Sequence, residues 1–185
     1  VVRGDASAAR ELLLRDGLPD RPDPTTQLLL GLLDIADGAP ERFLERAQRV
    51  FRELDENGLN NSRRAIDGAL VLALAYASSD RPESAAPLLQ AVRDSLAVPL
   101  SREHLRLAAV LAMTGDVDGA LRELAASPPG WVREWAPLAR LDARFAALHD
   151  VPAFDELIDG HLAELERQRA AYLAEHGPER FSLSN

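Results

Sequence analysis

Four histidines, His104, His149, His161 and His176, are the only imidazoles this chain offers to a metal. It has no cysteine, which excludes disulfides, thiolate nucleophiles and cysteine zinc sites. His161 and Glu164 share a helical face at i, i+3. Carboxylate metal sites use that spacing, but they draw further ligands from neighbouring helices; exposed histidine is the expectation, and no metal is assigned. Asp55-Glu56-Asn57-Gly58 has the composition of a calcium loop, yet its glycine comes too early and Leu59 takes a ligand position. Arg3-Gly4-Asp5 and the sequon Asn60-Asn61-Ser62 read as chance. There is no G-x-S-x-G, no phosphate-binding loop and no dinucleotide fingerprint. No catalytic residue and no cofactor are expected, and the chain is read as a non-enzyme.

What remains is chemistry of binding. Arg63, Arg64 and Asp67 fall on one expected helix, Arg102 and Arg106 on the next. Together they would form a cationic strip able to hold a peptide carboxylate, because a guanidinium grips a carboxylate with two parallel N–H bonds. Against that stands pairing with local acids such as Glu103, or simple exposure to water. Trp131 and Trp135 lie four apart on one helical face. Packing against the last helix is expected; exposure would make them hot spots for a partner.

The background is acidic: 21 Lys+Arg against 30 Asp+Glu give a net charge of -9 in 185 residues, with every basic residue an arginine. Nucleic-acid affinity needs clustered cations, so direct nucleic-acid binding is not expected. At 46% hydrophobic the chain can bury a sizeable core. No apolar run approaches a membrane span, so no membrane insertion is expected. Usage of Arg, Ala, Leu and Asp suggests a GC-rich bacterial genome. The first residue is Val1 and the one methionine is Met113, so the chain is read as part of a longer protein.

The elements that must position these residues are helices. Phe43, Ala47, Val50 and Leu54 form one stripe at helical spacing; Ala85, Leu88, Val92 and Leu96 form another; Leu105, Ala108 and Ala112 a third. Phe154, Ile158, Leu162, Leu165 and Tyr172 form a long final stripe. Strand alternation is absent. Breaks at Gly17-Leu18-Pro19, Gly38-Ala39-Pro40, Gly58-Leu59-Asn60-Asn61, Asp80, Val98-Pro99, Thr114-Gly115 and Ser127-Pro128-Pro129-Gly130 separate the helices. A helix from about Ser62 to Ser78 is apolar nearly all round and belongs in the middle of the packing. Asp80 with Glu83 resembles a capping box, Ser101 reads as an N-cap, and Asp116 caps the next helix. Trp131 to Leu138 is expected as a short helix.

The breaks repeat. Gly31, Ala73 and Ala108 each precede a turn (Gly38, Asp80, Gly115) by seven residues, and Phe43, Ala85 and Ala120 follow each turn by five. The turns lie 42 and 35 residues apart. The first small residue lets two helices approach, and the second sits where they cross. Leu107-Ala108, Leu111, Gly115 and Ala120, with Leu72-Ala73, Tyr76, Asp80 and Ala85, resemble the tetratricopeptide repeat family. The pair around Gly31, Gly38 and Phe43 is a degenerate copy, with Phe43 where alanine is expected. The segment Leu141-Asp142-Ala143-Arg144-Phe145 through Val151-Pro152-Ala153-Phe154 is similar to the closing part of bacterial tetratricopeptide regions. Such regions are often fused to winged-helix activators, protein kinases or nucleotide cyclases.

The resemblance implies an all-α solenoid of antiparallel helix pairs with a long C-terminal capping helix. Residues 1–24 would form an N-terminal helix and turn, 25–127 the pairs, 128–176 the capping helices and 177–185 a tail. Phe145, Leu148 and Phe154 would seal the open end, with Glu164, Glu166, Arg167 and Arg169 supplying a polar outer face. It further implies a docking or sensory region of a larger bacterial regulator, cytoplasmic or periplasmic, that holds a protein or peptide in a concave groove. Self-association as a homodimer and an all-α small-molecule pocket are the alternatives.

Overall fold

The computed structural model describes Glu11 and residues 23–57, 59, 62–96, 103–127 and 135–177. Every regular element among them is a helix, and none is a strand. The expected N-terminal helix and the Gly17-Leu18-Pro19 break, Arg3-Gly4-Asp5, Gly58, Asn60-Asn61, Val98-Pro99, Ser101, Arg102, Trp131 and the tail after Gly177 lie outside the described residues.

Helix α1 (Pro24–Ala36) begins where the Asp23 carboxylate accepts the Thr26 amide at 2.8 Å and Pro24 takes the first turn. Helix α2 (Pro40–Val50) follows a three-residue turn. The expected single helix to Asn57 is interrupted at Phe51 (φ −111°, ψ 28°), and α3 (Arg52–Asn57) follows as a separate helix. The reason is packing. Phe51 and Leu54 press onto Gly68, where an added Cβ would stand 3.0 Å from the Phe51 ring and 2.9 Å from Leu54.

Helix α4 (Arg63–Ala77) is capped by Ser62, whose hydroxyl accepts the Ala65 amide at 3.1 Å. Helices α5 (Ala85–Leu96), α6 (His104–Met113) and α7 (Val117–Ala126) follow. As expected, Asp116 caps α7, accepting the Gly119 amide at 2.9 Å. Asp80 and Glu83 do not form a capping box. Pro82 opens a single 3-10 turn (Pro82–Ser84) before α5, no side chain caps that turn, and the Arg81 amide goes to the Ser79 hydroxyl at 3.3 Å.

Gly38 and Gly115 occupy equivalent turns. Both hold a positive φ, 70° and 83°, which only glycine adopts at little cost. In both, the glycine amide returns to the carbonyl three residues back (Ile35 at 3.0 Å, Ala112 at 3.1 Å). The next amide returns five back (Asp34 at 2.9 Å, Leu111 at 2.8 Å). This Schellman closure satisfies carbonyls left open at a helix end.

Consecutive helices pack on each other: α1 on α2, α4 on α5, α6 on α7. Helix α4 also touches α1, α2, α3 and α6, and buries eleven of its residues, as its all-round apolar character requires. Gly31, Phe43, Ala73, Ala85, Ala108 and Ala120 are all buried. A Cβ on Gly31 would overlap the Phe43 ring. The Phe43 ring therefore fits here only because residue 31 lacks a Cβ.

The chain closes differently. Of the expected Trp131–Leu138 helix, Trp135 is α-helical and the chain then tightens into a 3-10 segment, Ala136–Leu141, followed by another, Ala143–Leu148, with Asp142 at the break. Pro137 starts the first tight segment, and Asp142 accepts the Arg144 amide at 3.1 Å to start the second. Helix α8 (Pro152–His176) opens with its proline and runs 25 residues, yet buries only Phe154 and Ile158. The expected stripe thus enters the core only at its start: Leu162 packs at its edge, Leu165 is half-buried and Tyr172 is 41% exposed. Phe145, Leu148, Phe154 and Ile158 form the second core with Ala108, Leu111 and Leu124. The Arg167–Glu164 and Arg169–Glu166 pairs line the outer surface of α8.

Candidate partner-binding groove

Helix α1 is inverted relative to simple expectation. It buries the polar Gln27 and Asp34, at 0% and 1% exposure, beside Leu30 and Gly31. Arg46 of α2 makes this tolerable, donating from Nε to Gln27 Oε1 at 3.0 Å and from Nη1 to Asp34 Oδ2 at 2.5 Å. The Leu29 and Leu32 side chains are left half-buried on another face, in neither of the two apolar cores. Buried polar groups alongside uncovered leucines are the informative departure from an ordinary surface helix.

Those leucines face a groove of about 260 Å³. Helix α1 contributes Leu28, Leu29 and Leu32; α4 contributes Asp67 and Val71; α6 contributes Leu105 and Arg106. The closing segment completes it with Trp135, Leu138, Asp142 and Arg144. The floor is therefore apolar, drawn from the first helix of each consecutive pair, and Leu138 on its rim is 46% exposed.

The expected arginine strip is held by acids. Arg106 grips Asp67 through Nε and Nη2, both at 2.6 Å, and donates from Nη1 to Glu103 Oε2 at 2.7 Å. Glu103, 7% exposed, also accepts from Arg63 Nε at 3.1 Å. Burial works against the Arg106 charge, but Asp67 and Glu103 outweigh it and hold the guanidinium firmly protonated. Arg64 is exposed, and its charge helps, after the Thr26 bonds, to keep the Asp23 carboxyl below the usual range. Arg63, Arg64, Asp67 and Arg106 thus lie on α4 and α6 as the spacing predicted, and Arg63, Asp67 and Arg106 belong to one network through Glu103. Pairing with Glu103, the alternative weighed against an open strip, is the geometry adopted.

Trp135 is 7% exposed. Its ring lies 4.6 Å from Phe145 and 6.4 Å from Phe154 of α8, so it packs against the last helix as expected. Its Nε1 donates to Asp142 Oδ2 at 2.9 Å. Arg144 brackets the same carboxylate, with Nη2 at 2.7 Å from Oδ2 and Nε at 3.0 Å from Oδ1. Burial pushes the Asp142 carboxyl up, but Arg144 and the Trp135 N–H outweigh it and hold it below the ordinary aspartate range.

Sequence reasoning did not assign the leucines of the groove or the Asp142–Arg144 wall to a site. The visible signal was the leucine run Leu28 to Leu30 and Leu32-Leu33, too apolar for a helix that buries one face. The histidines do not converge. His104 Nδ1 sits 2.7 Å from Glu123 Oε2, His149 leaves a buried Nε2 without a partner, and no group of three or more metal-competent side chains gathers among the described residues. No described helix is long and apolar enough to cross a membrane. The chain matches no family model, and comparison with curated proteins and with solved structures returned no match.

Proposed function

We propose that this chain is a non-enzymatic interaction module, built as a tetratricopeptide-like stack of antiparallel helix pairs, that holds a peptide segment of another protein in the groove. Support for the stack comes from the equivalent glycine turns, the small-residue crossings and contacts between neighbouring pairs. A stack of this kind curves, and the first helices of its pairs line the concave side. The observation that carries the binding reading is the apolar floor of Leu29, Leu32 and Leu138, which neither core covers. A volume of about 260 Å³ suits one or two bulky side chains, the anchor mode of peptide recognition. The setting would be the docking or sensory region of a larger bacterial regulator.

A selection from a random peptide library on the wild-type chain and on the Leu29→Ser/Leu32→Ser/Leu138→Ser variant tests this. The proposal expects enriched peptides that share an apolar anchor and lose binding to the variant. No enrichment, or enrichment indifferent to the three leucines, would remove the groove assignment. A second reading, self-association, draws on the distal part of α8, where Tyr172 is 41% exposed. Light scattering showing a monomer at all concentrations would eliminate it.

A further inference from the structure

The groove holds four ionic side chains, and two of them are closed. Asp142 takes four N–H bonds, from Trp135 Nε1 and from the Arg144 amide, Nε and Nη2, and its side chain is 4% exposed. Arg106, 13% exposed, gives Nε and Nη2 to Asp67 and Nη1 to Glu103. The other two each keep one open side. Arg144 gives Nε and Nη2 to Asp142, while its Nη1 has no acceptor among the described residues. That nitrogen is not sealed in: the buried side-chain polar atoms without a partner among the described residues are Arg46 Nη2 and His149 Nε2. Asp67 receives one N–H of Arg106 on each oxygen, and with 31% of its side chain exposed it has room to accept another. Beside its apolar floor the groove thus offers one N–H donor, from the closing segment, and one carboxylate acceptor, from α4.

A peptide backbone carries the matching pair, one N–H and one C=O per residue. Its conformation decides whether they are free. In a helix both are bonded within the helix, so a docked helix presents side chains alone. In an extended segment they stand sideways from the line of side chains and stay open to a partner. The size of the seat agrees: about 260 Å³ takes one or two side chains, not the row of i, i+3, i+4 and i+7 anchors by which a helix docks. The Arg144 charge is already matched by Asp142, so its Nη1 suits a neutral backbone carbonyl. Resting on the groove reading above, we infer that the partner docks as an extended interior segment of its chain: a bulky apolar side chain on Leu29, Leu32 and Leu138, an adjoining backbone N–H given to Asp67, and an adjoining carbonyl taking a hydrogen bond from Arg144 Nη1. Asp67 and Arg144 then select the partner's conformation, and the leucines select its side chain.

Two displayed libraries test this: linear peptides with eight random residues, and a helix-forming scaffold with the same number of random residues on one face. Both are selected on the wild-type chain and on the Leu29→Ser/Leu32→Ser/Leu138→Ser variant, with folding of the variant checked by circular dichroism. The inference expects leucine-dependent binders from the linear library alone. Resynthesised with amidated C-termini and N-methylated one residue at a time, they should weaken about tenfold or more at one position next to the apolar anchor, the effect of removing a hydrogen bond to a charged group. The guanidinium NMR signal of Arg144 should move on binding. Leucine-dependent binders from the helical scaffold, linear binders indifferent to N-methylation throughout, an Arg144 signal that stays in place, or binding that requires a free C-terminal carboxylate each overturn the inference and leave the groove standing. Absence of leucine-dependent binders from both libraries removes the groove itself.

Discussion

The groove has two ionic walls built from the same pair of residue types, and they differ in reach. Arg106 and Asp67 stand 39 residues apart and tie α6 to α4, so their bond spans two helix pairs. Arg144 and Asp142 stand two residues apart and, with Trp135, organise one tight turn. The first wall sets the distance between helices; the second sets the shape of a loop and fixes the Trp135 ring against Phe145 and Phe154. Burial differs as well. The Asp142 side chain is 4% exposed against 31% for Asp67. A buried carboxylate with four N–H donors is costly to disturb, while a half-open one shares its energy with water.

The contrast breaks most visibly at Asp142. Replacing Asp142 with Ala strands the Arg144 guanidinium and the Trp135 N–H, and should cost about 3–5 kcal/mol, the scale for breaking a buried ion pair. Chemical denaturation with Trp fluorescence reads both the loss and the loosening of the indole. Gly31→Ala comes next: the new methyl meets the Phe43 ring, and overpacking of this kind costs about 1–3 kcal/mol. Adding Phe43→Ala to Gly31→Ala should relieve that clash, since it removes the ring the methyl meets; its stability is then compared with that of Phe43→Ala alone.

A double-mutant cycle on Asp67→Ala and Arg106→Ala should give a coupling of about 1–2 kcal/mol, smaller because this carboxylate faces water. The single Asp67→Ala change should also alter peptide affinity, since it releases α6 from α4. Acid sharpens the comparison. The Asp142 carboxyl is depressed in the fold, so its contribution is present above the unfolded aspartate value near about 4 and is lost as pH falls through the lower folded value. Thermal melts of Asp142→Asn should therefore decline less steeply below about pH 4 than those of the wild type. The smallest stability effect is expected for Leu138→Ser alone. This side chain is 46% exposed and belongs to neither core, and its loss should cost no more than about 0.5 kcal/mol, read as a thermal shift.

Legibility followed the same division. Helix boundaries were readable because they rest on local chemistry: Gly38 and Gly115 at positive φ, Asp116 as a cap, Pro40 and Pro152 in first turns. The all-round apolar run of Ala65 to Ala75 announced the central helix. What misled were places where distant packing overrode local preference. Phe51 breaks its helix to reach Gly68, which lies on another element, and the 3-10 turns around Asp142 depend on Trp135 and Arg144 meeting one carboxylate. The candidate site was half legible. Arginine spacing placed Arg63, Asp67 and Arg106 together, but spacing says nothing of which cations are already satisfied. The leucine run on α1 pointed at the groove more directly than the charges did, because Gln27 and Asp34 could be buried only with a partner such as Arg46 in place.

The account stands on the leucine-floored groove being a seat for apolar side chains. Methyl NMR of the full chain titrated with N-acetyl-leucinamide, a neutral blocked residue, tests it with no partner in hand. The account predicts saturable shifts at the methyls of Leu29, Leu32, Val71, Leu105 and Leu138, with Leu89 and Met113 on another face unmoved. Shifts confined to Leu89 and Met113, or a uniform drift with no saturation, would contradict it.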